Sequence, residues 1–114
     1  MKIEWNRNQG GMNMGKFGIY GKLIAIEGER EQLETILLEA AESLQSHDEC
    51  ELYLVSVSPE EANAVYVYEV WSSESAHQGS LTLESTQTLI QRAKPILAGM
   101  ERISTLVPRG GKGL

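Results

Sequence analysis

The first two strand-like stretches of this chain are apolar on both of their sides, and that narrows the folds open to it. From Lys16 to Ile26, Phe17, Ile19 and Leu23 fall on one side while Tyr20, Ile24 and Ile26 fall on the other. From Glu51 to Ser58, Leu52 and Leu54 oppose Tyr53, Val55 and Val57. A sheet with one solvated face alternates apolar and polar residues, so these strands require cover on both faces.

The punctuation between them is regular. Gly28 ends the first strand, and Glu29 to Gln45 reads as an amphipathic helix. Its Leu33, Ile36, Leu37, Ala40, Ala41 and Leu44 share one face at 3.6 residues per turn. The acids Glu29, Glu31, Glu34, Glu39 and Glu42 form its solvated side. Pro59 to Asn63 has turn composition, which predicts a hairpin returning into the strand Tyr66–Trp71. Ser72-Ser-Glu opens a short helical segment around His77, because serine favours a helix N-cap. A further helix spans Leu83 to Gly99, with Ile90, Ala93 and Leu97 on its inner stripe. Pro95 is expected to kink or shorten it. Met100 to Val107 gives the last strand.

The order strand, helix, strand, strand, helix, strand predicts a ferredoxin-like α+β sandwich. Both helices would cover one face of a four-stranded antiparallel sheet. The chain then has no third layer for the other face. A second copy is the economical cover, which predicts a homodimer with sheets meeting face to face.

Length and charge set the outer bounds. A chain of 114 residues is one domain. The body is expected over 16–107, preceded by a flexible segment 1–15 rich in Gly and Asn and followed by a tail 108–114. Gly110-Gly-Lys-Gly113 has the composition of a phosphate loop but lacks the following helix. Between Phe17 and Val107, five Lys/Arg (Lys22, Arg30, Arg92, Lys94, Arg102) stand against fifteen Asp/Glu, a net charge of −10. Such a body repels phosphate backbones, so nucleic acid is not an expected partner. The single cysteine, Cys50, excludes an internal disulfide and favours a reducing compartment. No apolar run approaches the ~20 residues that span a bilayer, and the N-terminus lacks a signal-peptide core. No membrane partner and cytoplasmic residence are the expectation.

The segment Tyr66-Val-Tyr-Glu-Val-Trp71, followed by Ala76-His77 and Ser80-Leu81, carries the chemistry. A strand that delivers Glu69 and Trp71 to its end, with His77 just beyond, can line a pocket with an indole and titratable groups. Together with Tyr20-Gly-Lys-Leu23, Ala93-Lys-Pro-Ile-Leu-Ala-Gly99 and Gly110-Gly-Lys-Gly-Leu114, this segment resembles antibiotic biosynthesis monooxygenase (ABM) domains. The resemblance is to the subgroup that includes quinol monooxygenases, and it runs from Phe17 to Leu114. It implies a dimeric α/β barrel, and it leaves room for the tail to fold against the barrel or its partner. The haem-degrading branch is disfavoured. Its axial His would fall on the last long helix, which has none, and its first-strand Asn position is matched by Gly21.

Two classes of function remain at this stage. One is a cofactor-independent monooxygenase acting on a small aromatic quinol or phenol with dioxygen. The other is a non-catalytic or regulatory module that binds a small apolar ligand in the same cavity. For the first, His77 is the expected proton-transfer residue, with Trp71, Glu69, Tyr20 and Tyr68 as substrate-binding residues. Tyr20, Tyr66 and Tyr68 read equally as barrel core. His47 and Cys50 receive no role. No flavin, haem or other metal is expected, because the two histidines lie far apart in sequence and Cys50 has no second thiol at ligand spacing.

Overall fold

A computed structural model describes the chain from Gly15 to Leu114. Residues 1–14, and with them nearly all of the expected N-terminal segment, lie outside the described residues. The elements run β1 (Phe17–Ala25), α1 (Arg30–Ser43), β2 (Cys50–Ser58), β3 (Glu61–Trp71), α2 (Glu74–Ser80), α3 (Glu84–Ala93) and β4 (Leu97–Leu106), with a 3₁₀ turn over Lys94–Ile96. The sheet order is β2-β3-β1-β4, and every neighbouring pair is antiparallel. This is the ferredoxin-like α+β sandwich.

The core lies between the sheet and the helices. Gly28, at φ 87°, adopts the left-handed conformation that turns the chain from β1 towards α1. Leu33, Ile36 and Leu37 on α1 are at most 2% exposed. They pack with Ala25, Val65, Val67 and Ala93 as one cluster, which joins the helical stripe to the inner side of the sheet.

Two boundaries differ from the sequence reading. The hairpin turn is only Pro59-Glu60, and β3 begins at Glu61 rather than after Asn63. The turn closes tightly because the Ser58 hydroxyl accepts a hydrogen bond from the Glu60 amide at 3.1 Å. The second long helix ends at Ala93, not Gly99. Pro95 supplies no N–H and sits in the first residues of the 3₁₀ turn, after which the backbone becomes extended at Leu97. Gly99 is therefore a strand residue paired with Ile24.

The face of the sheet away from the helices is rich in aromatic and aliphatic side chains. Tyr20 stacks with Tyr66 at 6.1 Å between ring centroids and meets Tyr68 edge-on at 6.3 Å. Leu54 and Leu106 there are 52 and 42% exposed. A shallow concavity there is lined by Tyr20, Leu54, Tyr66, Tyr68 and Leu106. The C-terminal segment begins on this face, where Pro108 is buried and its ring lies 3.4 Å from the position a Cβ would take on Gly18.

Leu33 is 0% exposed at the centre of the core. Leu33→Ala is expected to lower stability by about 2–5 kcal/mol, read from the urea midpoint of unfolding at unchanged m-value.

Candidate functional site

Three of the residues singled out from sequence meet at one end of the space between sheet and helices. Strand periodicity puts Glu69 and Trp71 on the helix-facing side of β3 together with Val65 and Val67. The Trp71 indole is 1% exposed, and its Nε1–H donates to Glu69 Oε1 at 2.9 Å. His77 Nε2 lies 3.9 Å from the same carboxylate oxygen. The imidazole of His77 meets the indole edge-on at 5.7 Å and the Phe17 ring at 5.4 Å. His47 approaches the indole edge-on at 5.5 Å.

Helix α2 fixes His77 in this position by local means. Ser73 is extended, and its hydroxyl accepts from the Ala76 amide at 3.0 Å, capping the helix. Ser80, itself buried, donates to the His77 carbonyl at 2.6 Å. Held from both ends, α2 presents its histidine to the end of β3.

These groups line a cavity of about 540 Å³, a size suited to a small ligand. Its walls are largely aliphatic, from Ile19, Leu37, Val67, Leu89 and Leu97, and its polar end holds Glu69, Trp71, His77, Ser80 and Tyr53. Tyr20 and Tyr68 do not line it. They lie on the opposite face of the sheet, in the shallow concavity. Neighbouring strand residues project to opposite sides, so Tyr68 cannot share a face with Glu69.

Residues 17–92 match the profile of the antibiotic biosynthesis monooxygenases. The chain belongs to the ABM family. A candidate antibiotic biosynthesis monooxygenase from Chloroflexus aurantiacus is 35% identical, with a TM-score of 0.74 over 84% of this chain and 95% of that one. Similar folds at 17% identity occur in candidate monooxygenases from Bacteroides thetaiotaomicron (TM-score 0.78, 88% of this chain and 97% of that one) and Caulobacter crescentus (TM-score 0.76, 90% and 97%). No curated protein matches the sequence.

Within this ABM domain, Tyr53 is the cavity residue that sequence reasoning passed over as strand core. It pairs across the sheet with Glu69. Among the described residues its hydroxyl has no hydrogen-bond partner. Burial, reinforced by the Glu69 and Cys50 side chains, pushes this phenol above its ordinary value near 10. It therefore stays protonated and available as a donor. Its pairing follows from an irregularity in the β2–β3 ladder between Val57 and Ser58. Among the described residues no group of three or more His, Cys, Asp and Glu is placed to hold a metal ion. No helix among them is long and apolar enough to cross a membrane.

Cys50 lies next to this end, paired with Trp71 across the sheet. Burial first, and then the charge of Glu69, raise its thiol to about 11. The raised value means that folding favours the neutral thiol. Its contribution to stability is intact below about pH 9 and is lost as pH climbs towards 11. Iodoacetamide should label the native protein at pH 8 roughly 10²-fold more slowly than the urea-unfolded chain, because only the thiolate reacts. The gap should close as the pH approaches 11, as followed by mass spectrometry.

Proposed function

We propose that the protein is a monooxygenase of small electron-rich phenols or quinols, using dioxygen and no organic cofactor. The observation that carries this reading is the meeting of Glu69, Trp71, Tyr53 and His77 at one end of a cavity with largely aliphatic walls. An aromatic ring fits the aliphatic walls, and its hydroxyl belongs at the polar end.

The chemistry follows from the groups present. An imidazole within hydrogen-bond reach of a phenol can remove its proton at neutral pH. His77 takes that proton, and the carboxylate of Glu69, 3.9 Å away, stabilises the resulting imidazolium. The Trp71 N–H fixes the carboxylate, and Tyr53 donates to a substrate oxygen. The phenolate is electron-rich enough to reduce dioxygen directly. A quinol plus O₂ then yields a hydroxyquinone plus water: one oxygen atom replaces a ring hydrogen and the other leaves as water. All four electrons come from the substrate, two from the C–H carbon and two from the quinol. The aliphatic walls exclude bulk water from the reactive intermediate.

Oxygen uptake with a panel of hydroquinones tests this reading. His77→Ala is expected to lower turnover by about 10²–10⁴-fold with unchanged circular dichroism, the usual contribution of a positioned base. Trp71→Phe should mainly weaken binding, since it frees the Glu69 carboxylate, with some cost in stability. Native-rate turnover by His77→Ala would refute the mechanism. Consumption no faster than autoxidation would favour a ligand-binding module in the same cavity.

We also propose that the protein is a homodimer whose copies meet through the tyrosine-rich face of the sheet. Support comes from the exposed Leu54 and Leu106 beside Tyr20, Tyr66 and Tyr68, an apolar surface with no covering layer in the described chain. Light scattering after size-exclusion chromatography should give twice the chain mass at micromolar concentration, and Leu54→Lys should give the monomer. A monomeric native protein would overturn the pairing.

A further inference from the structure

The far end of the cavity is chemically different from the end that holds His77. Lys94 on the 3₁₀ turn and Arg102 on β4 line the cavity, and the β1–β4 pairing (Arg102 with Gly21, Leu97 with Ala25) sets both towards the Ala25 end of β1, away from Phe17 and Trp71. Among the described residues neither has a charge partner, which is unusual for this chain. The body carries fifteen acids against five bases, so a cation on its surface has many carboxylates to pair with. The other three bases have done so: Lys22 with Glu61 at 2.9 Å and Glu101 at 3.9 Å, Arg30 with Glu34, and Arg92 with Glu39. Among the described residues, Lys94 and Arg102 alone of the five make no ion pair or side-chain hydrogen bond, and both line the cavity. Glu101, the acid nearest in sequence to Arg102, is shared with Lys22.

The backbone brings Arg102 to this place by a device. The β1–β4 ladder is regular from Gly18↔Leu106 to Tyr20↔Ser104, then shifts so that Gly21 pairs with Arg102. Without that shift Ile103 would lie opposite Gly21, and Arg102 would take the other parity. A bulge that re-aims a side chain beside a site is a recurrent use of this irregularity. The close approach depends on glycine: a Cβ on Gly21 would stand 3.1 Å from the Glu101 carbonyl oxygen.

We propose that the ligand is a hydroxyarene carboxylate: a phenol or quinol whose hydroxyl meets His77 and whose carboxylate is held by Arg102 and Lys94. This rests on the monooxygenase reading for the orientation of the hydroxyl and extends it to a substrate class. The separation suits a bicyclic ring. Glu69 is level with Ile19 on β1, and Arg102 with Gly21. That places them two residues apart along the strands, about 7 Å, and two strand spacings apart across the sheet, about 10 Å. Side chains reaching inward from both ends leave a span that a fused two-ring acid fills. The planar fork of arginine matches a carboxylate, and the aliphatic walls between the two ends match the ring. The overall negative charge would otherwise repel such an anion, so two local cations without carboxylate partners are what its capture requires.

Calorimetric titration with redox-inert probes tests this. In low salt, 6-hydroxy-2-naphthoate is expected to bind about tenfold more tightly than 2-naphthol, the factor for one charge-assisted contact. The advantage should shrink between about 50 and about 500 mM NaCl as the cations are screened. It should vanish in Lys94→Gln/Arg102→Gln, checked for folding by circular dichroism, and persist in Arg92→Gln, whose cation lies off the cavity. Equal affinity for the two probes in the native protein, or an advantage that survives the double substitution, would overturn the proposal. Failure of the two readings can be told apart by oxygen uptake with 1,4-dihydroxynaphthalene. Turnover of that uncharged quinol without discrimination between the probes leaves the oxygenase and removes the carboxylate site. Discrimination without turnover keeps the carboxylate site and removes the oxygenase.

Discussion

The register between β1 and β3 is the constraint on which the rest of this domain depends. It runs unbroken from Phe17↔Trp71 to Ile24↔Ala64, whereas each outer ladder contains two shifts. Because side chains alternate along a strand, this one pairing decides what meets at each face. It sets Phe17 beside Trp71, where both flank His77, and it sets Ile19 beside Glu69. A slip of one residue would bring Tyr68 into the apolar core and turn Glu69 towards the tyrosine-rich face. Burial of Val65 and Val67 against Leu33 and Ile36 opposes that slip.

Each outer ladder is irregular at two places, and the site draws on one of them in each. On one side the shift after Val57 makes Glu69 the partner of Tyr53. On the other, the shift between Tyr20 and Gly21 makes Arg102 the partner of Gly21. The Glu69 carboxylate is thus flanked by Trp71 from its own strand, Tyr53 from β2 and His77 from a short helix, while Arg102 stands apart on β4.

Much of this was legible in the residues. The order of elements follows from local periodicity, and the two-sided apolar strands announced a face in need of cover. Pro95 signalled the end of a helix, although the distance to the next strand was misjudged. The nearness of Trp71 and His77 was readable because a strand end and the helix after it are close by connection alone. Tyr53 and Arg102 were not readable in the same way. A plain hairpin closed at Pro59-Glu60 would pair Tyr53 with Tyr66 and hide it on the wrong face. Only the shift, which no residue pattern announces, brings it to Glu69. The grouping of Tyr20 and Tyr68 with Glu69 failed for a simpler reason, since adjacent strand positions diverge.

The same alternation partitions the molecule. Along β3, Glu69 and Trp71 address the cavity while Tyr66 and Tyr68 address the opposite face. A cavity wall and an exposed aromatic face therefore share a single strand without sharing a side chain. Mutational drift can remodel the floor and rim of the cavity through α1, α3 and β4 while the tyrosine face is left intact, and the converse holds. A scaffold wired in this way lets one face change while the other holds still.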